Sequence, residues 1–495
     1  MGRKFIYLLI GILLFIILLL IPSPHNMSLM TWRMVSITVF VVFLWVTEAL
    51  PLPITSLMPI FLIPLFGILP PSKATVSYGA PMIYLLLGGF LFAAALEKWN
   101  LHKRFSYTIL KVFGNTHSGI IMAFMIICGF ISMWISNGAV ALMIAPIGMA
   151  FIATLNNDDA VCPQSEIKEN SIDKHSLNSK IKENSNNEKL KLSKSILYTI
   201  AVGSTIGGMA TVIGTPPNAL MVGMMSSLYK IDITFLEWMK VGVPLVIILL
   251  FISWFVICKI FFRTSNLELP KAKEICIEEL SKMGPVGKAE KRVYILFSFT
   301  ALFWILAGIF KGNINHNISD TTIAVFGAIF LFIIPSGINK DEKLLDWKTA
   351  KNLPWGVLLL VGGGIALANG FEASGLNHYV KSELINAHID KPIIVISLFA
   401  LFSIMLTQFA PNIAVATLFI PIMGTAASIM TISEISAIMP VVLGASLSFT
   451  LPVGTPPNAI IYGEGIIKQK DMIKPGTVIA LFGWVFIIVI TQLIY

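Results

Sequence analysis

Charge is scarce in this sequence. Asp, Glu, Lys and Arg make up 12% of its 495 residues, about half the share of a soluble globular chain. With 56% hydrophobic residues and a mean hydropathy of +0.84, that shortage excludes a water-soluble domain and predicts an all-α polytopic membrane protein embedded in the lipid bilayer. Cysteine is scarcer still. Cys128, Cys162, Cys258 and Cys276 have neither disulfide nor metal-ligand spacing, and Cys128 and Cys258 fall inside apolar runs, where they read as small core residues. No nucleophilic triad, metal cluster or phosphate-binding loop is present, so nothing points to an enzyme or a prosthetic cofactor. The net charge of +9 does not mark a nucleic-acid surface, because Lys and Arg occupy segments between apolar runs, as membrane topology predicts.

What the sequence does have is repetition. Gly214-Thr-Pro-Pro-Asn-Ala219 recurs as Gly454-Thr-Pro-Pro-Asn-Ala459. Each copy interrupts a long apolar run, at 195–228 and 436–462. Proline removes a backbone donor and clashes with the preceding turn, so neither run continues as one helix. Two further runs, 118–155 and 392–430, exceed the roughly 20 residues of one crossing. Each breaks near its middle, at Ser136-Asn137-Gly138 and Pro411-Asn412-Ile413. Broken backbone survives at membrane depth only where protein or a wet cavity surrounds it, so these runs predict re-entrant helical hairpins.

The remaining spans are 5–21, 31–50, 52–69, 81–96, 241–262, 293–310, 321–335, 353–371 and 475–494. Together with the two broken helices they make about eleven crossings and two hairpins. Residues 137–147 align with 412–422 at an offset of 275, and the Gly-Thr-Pro-Pro-Asn copies lie 240 apart. The difference is close to the length of the polar, Asn- and Lys-rich stretch 156–194, which reads as a cytoplasmic loop inserted in the first half. The chain therefore divides into an N-terminal span (1–30), a first repeat (31–262), a cytoplasmic linker (263–292) and a second repeat (293–495). With the N-terminus in the cytoplasm and the C-terminus outside, 28 of the 35 Lys and Arg fall on the cytoplasmic side, a strong bias. Five crossings per half then make the repeats inverted, and paired broken helices in such halves point to a binding site.

Four interruptions converging at the middle of the membrane suit an anion and cations together. Half-helix N-termini present N–H groups to an anion, and unwound carbonyls suit a small hard cation such as Na⁺. No cationic side chain lies in mid-span. Glu48, before Pro51, reads as an interfacial carboxylate rather than a proton relay. Ser132 and Ser136 stand one helical turn apart with Asn137 next, and the offset pairs them with Thr407, Pro411 and Asn412. Polar residues clustered twice at the centre of such runs read as functional.

These residues, with Thr47-Glu-Ala-Leu-Pro-Leu-Pro-Ile-Thr55, Leu85-Leu-Leu-Gly-Gly-Phe90, Leu96-Glu-Lys-Trp-Asn-Leu-His-Lys-Arg104 and Met133-Trp-Ile-Ser-Asn137, make the chain resemble the divalent anion:sodium symporter family. Its members carry di- and tricarboxylates and, in some branches, sulfate. The resemblance implies a homodimer in which a scaffold domain (spans 1–4 and 7–9) holds a transport domain (the hairpins with spans 5, 6, 10 and 11) that moves as an elevator. It implies that substrate lies against Ser136, Asn137, Gly138, Thr215 and Pro216 from one half and Asn412, Ile413, Thr455 and Pro456 from the other. It assigns one Na⁺ site to Ser132, Ser136, Asn137 and Gly214, and a second to Thr407, Ala410, Asn412 and Gly454.

The chain departs from the family at the tips, where the family usually reads Ser-Asn-Thr. Here Gly138 and Ile413 replace both threonines and Pro411 replaces the second serine. Hydroxyls restored by Gly138→Thr with Ile413→Thr are expected to strengthen succinate binding. The expected function is Na⁺-coupled import of a di- or tricarboxylate. The alternatives are a sodium-independent carboxylate exchanger, a sulfate or other inorganic-anion carrier, and a non-transporting sensor.

Overall fold

The computed structural model describes residues 2–24, 27–114, 116–157, 174–263, 270–310, 318–339, 341–386 and 391–495. Within them, eight helices are long and apolar enough to cross a membrane: Arg3–Leu20, Leu29–Thr47, Pro71–Lys98, Phe235–Phe261, Lys288–Ile309, Trp355–Ala373, Asn412–Met430 and Gln469–Ile494. Shorter apolar helices include His117–Ser132, Asp320–Ile333, Pro392–Leu406 and Glu434–Ala445. Among the described residues no sheet forms; one isolated bridge joins Pro335 and Lys343.

Burial follows composition. Arg3–Leu20 buries only Gly11 and leans on Leu29–Thr47, where Phe15 stacks on Phe40 at 4.8 Å. Lys288–Ile309 leaves Tyr294, Ile295, Phe299 and Phe303 exposed. Continuous apolar surface of this kind suits lipid rather than water. The opposite pattern marks the centre: nearly all of Glu434–Ala445 and most of Pro216–Tyr229 are buried.

All four predicted interruptions are real breaks. His117–Ser132 ends before Asn137–Asn157 begins, and Pro392–Leu406 ends before Asn412–Met430. Lys174–Gly207 passes through a short 3₁₀ turn to an unwound stretch before Pro216–Tyr229, and Glu434–Ala445 unwinds before Pro456–Gly463. Thr215 (φ −144°, ψ 143°) and Thr455 (φ −143°, ψ 153°) are extended, and the proline after each opens a new helix. That is the backbone that a residue before proline prefers, and the first helical turn is where proline costs least.

Two expectations need correction. The run 52–69 is not one spanning helix. It forms Leu52–Thr55 and Met58–Leu65, with Pro64 inside the second and a turn at Gly67 (φ 73°); prolines and a left-handed glycine cut it too short. The polar stretch 156–194 is not a loop throughout. From Lys174 onward it is helical and continuous with the broken helix, as Lys174–Gly207. Residues 174–194 contain no Pro or Gly to stop the helix that follows, and six of them are Lys, which favours helix. Residues 158–173 of that stretch, with Cys162, lie outside the described residues.

The ends of the helices carry the charge pairs. Lys98 meets Asp346 at 2.7 Å and Arg104 meets Glu290 at 3.0 Å, while Trp99 Nε1 donates to Leu344 O at 2.7 Å. These contacts fasten Pro81–Lys98 and Leu101–Phe113 to Lys288–Ile309 and to residues 344–346. A separate set fastens the first broken helix to the C-terminal end of the chain. Lys194 meets Asp471 at 2.9 Å, and Tyr198 Oη donates toward Phe449 O and Met472 O at 3.1 and 3.3 Å.

Candidate functional site

In the first half, Ser132 closes one arm of the hairpin and Asn137 opens the other. One end of the Asn137 amide faces Ser132 Oγ at 2.8 Å, Ser204 O at 3.2 Å and Gly214 O at 3.2 Å. Ser132 Oγ also donates to Ser204 O at 2.6 Å. A hydroxyl has one proton, so with that proton on Ser204 O it cannot also satisfy an amide oxygen. With its nitrogen turned inward, the two N–H groups of Asn137 face the three oxygens as donors. With its oxygen turned inward, four oxygens face one another, an arrangement that a cation stabilises.

The second half repeats this geometry. Thr407 Oγ1 donates to Ala445 O at 2.6 Å and lies 2.8 Å from Asn412 Oδ1. Again one hydroxyl proton stands between two acceptors. Both hydroxyls are fully buried. Among the described residues no Asp, Glu, Lys or Arg is buried, so both gaps are uncharged oxygen clusters. Glycine is needed where the chains approach: a Cβ on Gly214 would stand 2.9 Å from Ser132 O, and one on Gly208 would strike Asn137 Oδ1.

The other predicted residues fall as follows. Ser136 is half-buried and its carbonyl accepts Val140 N at 3.0 Å. Thr215 and Thr455 are each 3% exposed, and among the described residues Thr455 Oγ1 has no hydrogen-bond partner. Pro216 is half-buried and Pro456 exposed. Gly138 packs against Pro456, so the first tip meets the broken helix of the opposite half. Asn412–Met430 packs in turn against Pro216–Tyr229. Ile413 is buried and its carbonyl accepts Thr417 Oγ1 at 2.8 Å. Ala410 is buried and donates to Leu406 O at 3.0 Å; Gly454 N donates to Leu451 O at 3.2 Å. Glu48 is exposed and caps Leu29–Thr47 in a left-handed conformation.

Sequence reasoning missed three contributors. The backbone oxygens of Ser204 and Ala445 carry no sequence signal. Asn218 and Asn458 stood inside the repeated motif, but their role emerges only in three dimensions. Asn218 Nδ2 donates to Gly208 O and Thr211 O at 3.1 and 2.8 Å. Asn458 Nδ2 donates to Ser448 O and Leu451 O at 3.1 and 3.0 Å. The acceptors lie ten and seven residues back in both halves, so each amide satisfies carbonyls freed by the break. Gln408 is the third.

A cavity of about 750 Å³ opens beside the first hairpin, lined by Glu97, His102, Lys103, Ala139, Leu142 and Pro146 among others. It reaches Ala139, two residues beyond Asn137. Among the described residues no group of three or more His, Cys, Asp or Glu is gathered for a metal.

Comparison with known proteins gives a consistent picture. Residues 2–495 match the family model described as the sodium:sulfate symporter transmembrane region. The chain is 35% identical over 486 residues to the sodium-dependent dicarboxylate transporter SdcS of Staphylococcus saprophyticus, covering 98% of this chain and 90% of that protein. It is 36% identical over 493 residues to SdcS of Staphylococcus aureus strain USA300, covering 99% and 91%. Among solved structures, the Alcanivorax borkumensis YdaH transporter aligns with a TM-score of 0.55 at 10% identity, over 85% of this chain and 87% of that one. At that identity the likeness speaks to fold alone.

Proposed function

The chain belongs to the sodium:sulfate symporter transmembrane family, and on that premise we propose that it is a secondary active transporter in which an inward Na⁺ gradient drives import of a dicarboxylate. The observation that carries the reading is the paired geometry of Ser132 with Asn137 and Thr407 with Asn412, each hydroxyl set between two acceptors. Neutral oxygen donors of this kind fit Na⁺. Ser132, Asn137, Ser204 O and Gly214 O would hold one ion; Thr407, Asn412 and Ala445 O would hold the other.

The substrate occupies the space between the two tips and the two Thr-Pro turns. Asn137 and Asn412 offer amide donors to its carboxylates, and Thr215 and Thr455 line it. Bound cations supply positive charge that the uncharged gaps lack, so anion and Na⁺ affinities are coupled.

The finer architecture belongs to the same proposal. The two hairpins are re-entrant, the halves are inverted, and the N-terminus is cytoplasmic and the C-terminus outside, on the strength of the Lys and Arg asymmetry. The hairpins, broken helices and 241–262 and 475–494 form a transport domain that moves as an elevator against the remaining spans, in a homodimer. The two separate sets of end contacts, Lys98–Asp346 with Arg104–Glu290 and Lys194–Asp471 with Tyr198, support two bodies divided in this way.

The test is uptake of labelled succinate, citrate, 2-oxoglutarate, a monocarboxylate and sulfate into proteoliposomes, with and without an inward Na⁺ gradient. Na⁺-driven uptake of a dicarboxylate is expected. Uptake only against a preloaded counter-anion would make the protein an exchanger, and flux of sulfate alone would make it an inorganic-anion carrier. Binding without flux would make it a sensor.

A further inference from the structure

We propose that Gln408 is a positioning residue for the second gap: its amide ties the hairpin to the unwound stretch behind the tip and thereby sets the cation affinity there. The inference rests on the reading of the gaps as cation sites.

Gln408 follows Thr407 in sequence and is 8% exposed. Its Nε2 donates to Ile404 O at 2.8 Å and to Leu447 O at 2.9 Å. Its Oε1 accepts from Thr450 N at 3.2 Å and from Thr450 Oγ1 at 2.6 Å. Both amide protons and both lone pairs are used. Ile404 lies in the first arm of the hairpin; Leu447 and Thr450 lie in the unwound stretch after Glu434–Ala445. One buried side chain therefore joins the two pieces of backbone whose spacing defines the gap.

The first half shows that such a tie is no general requirement of the architecture. At the offset of 275, the counterpart of Gln408 is Met133, whose thioether donates nothing. There a single bond runs the other way, from Thr211 Oγ1 to Met133 O. The amide appears in the half whose tip has lost its own hydrogen-bonding capacity, at Pro411 and Ile413. Thr407 reports the consequence. Its hydroxyl is held by Ala445 O, two residues before Leu447, and its carbonyl accepts Ser448 Oγ at 3.1 Å. Gln408 grips the chain on both sides of Ser448. Without that grip Leu447 O and Thr450 N must seek other partners, the stretch relaxes, and Ala445 O moves away from the oxygens that would share a cation with it.

The test measures uptake in proteoliposomes against Na⁺ concentration for the wild type, Gln408→Met and Thr450→Val. Gln408→Met imposes the first-half residue. It is expected to raise the Na⁺ concentration for half-maximal uptake by about tenfold or more, as loss of several buried hydrogen bonds implies, and to reduce the steepness of the Na⁺ dependence. The substrate half-saturation, measured at saturating Na⁺, should move far less. Thr450→Val keeps Gln408 and removes only the hydroxyl that donates to Gln408 Oε1; it is expected to shift the Na⁺ dependence in the same direction by about threefold. A role confined to core stability would lower thermal stability and leave the Na⁺ dependence where it was. A folded Gln408→Met with wild-type Na⁺ dependence overturns the inference. Should that variant fail to fold, a folded Thr450→Val with wild-type Na⁺ dependence overturns it. Wild-type vesicles that take up no anion in response to Na⁺ would instead remove the transport reading itself.

Discussion

Gly138 and Pro456 touch across the two halves of the molecule: a Cβ on Gly138 would stand 3.0 Å from the Cβ of Pro456. The first hairpin tip thus packs closely on the second broken helix, and a side chain at 138 requires Pro456 to give by a few tenths of an ångström. A proline ring at the start of a helix yields little.

This contact splits the double substitution that the sequence suggested. Gly138→Thr must displace Pro456 and is expected to raise the succinate half-saturation several-fold. Ile413→Thr meets no such neighbour and is expected to lower it by up to about tenfold, the scale of one added hydrogen bond to a charged group. Uptake kinetics of the two single variants decide it; improvement by Gly138→Thr would show that the contact is soft.

Ser132→Ala and Thr407→Ala each remove the hydroxyl that faces two acceptors. Each is expected to weaken Na⁺ activation by about tenfold, leaving uptake that needs higher Na⁺ and responds less steeply. Na⁺ titrations of uptake at fixed substrate provide the check. Unchanged Na⁺ dependence in both would remove these hydroxyls from the coupling sites.

Asn218→Ala and Asn458→Ala strip donors from two carbonyls each at the breaks. The cost of leaving buried acceptors unpaired is about 1–3 kcal/mol, and it should appear in both variants as earlier thermal unfolding in detergent. Na⁺ should stabilise these variants less than the wild type, because the unwound stretches no longer hold their carbonyls in place. Stability equal to wild type in both would mean that the breaks hold themselves.

His102 gives a pH prediction. It is buried at the start of the amphipathic helix Leu101–Phe113, which carries Lys103, Arg104 and Lys111. Burial first, and Lys103 second, lower its pKa to about 4 against an opposing backbone hydrogen bond at Leu96. The unfolded chain takes up the proton near the ordinary value of 6.5, whereas the folded protein stays neutral until about 4. The contribution to stability is therefore complete above the ordinary value and is lost as pH falls toward the depressed one, at up to about 1.4 kcal/mol per pH unit. Unfolding of the wild type should steepen across that window relative to His102→Gln. Parallel pH profiles would show that the fold does not disfavour the protonated form of His102.

Composition and repetition made the membrane class and the four breaks legible from residues alone. The reason is local: a Pro-Pro pair breaks a helix where a single proline such as Pro244 or Pro421 is accommodated within one, and an apolar run of given length has few other fates in a bilayer. The same local rules erred where they depended on context. Residues 52–69 were apolar enough to span but too rich in proline. Residues 174–194 were polar enough for a loop, yet they propagate the helix that follows.

The site divides along the same line. Ser132, Asn137, Thr407 and Asn412 could be named from the sequence, because they are polar residues at the centre of two over-long apolar runs related by a fixed offset. Their partners could not. Ser204 O, Gly214 O and Ala445 O are backbone atoms of distant segments, identical in kind to every other carbonyl until folding brings them within 2.6 to 3.2 Å. Gln408 carries no signal in the sequence; its contacts exist only because Leu447 and Thr450 lie against it. Which atoms surround an ion depends on how the two unwound stretches are held against the two hairpins, and that is long-range packing that no single stretch of sequence contains.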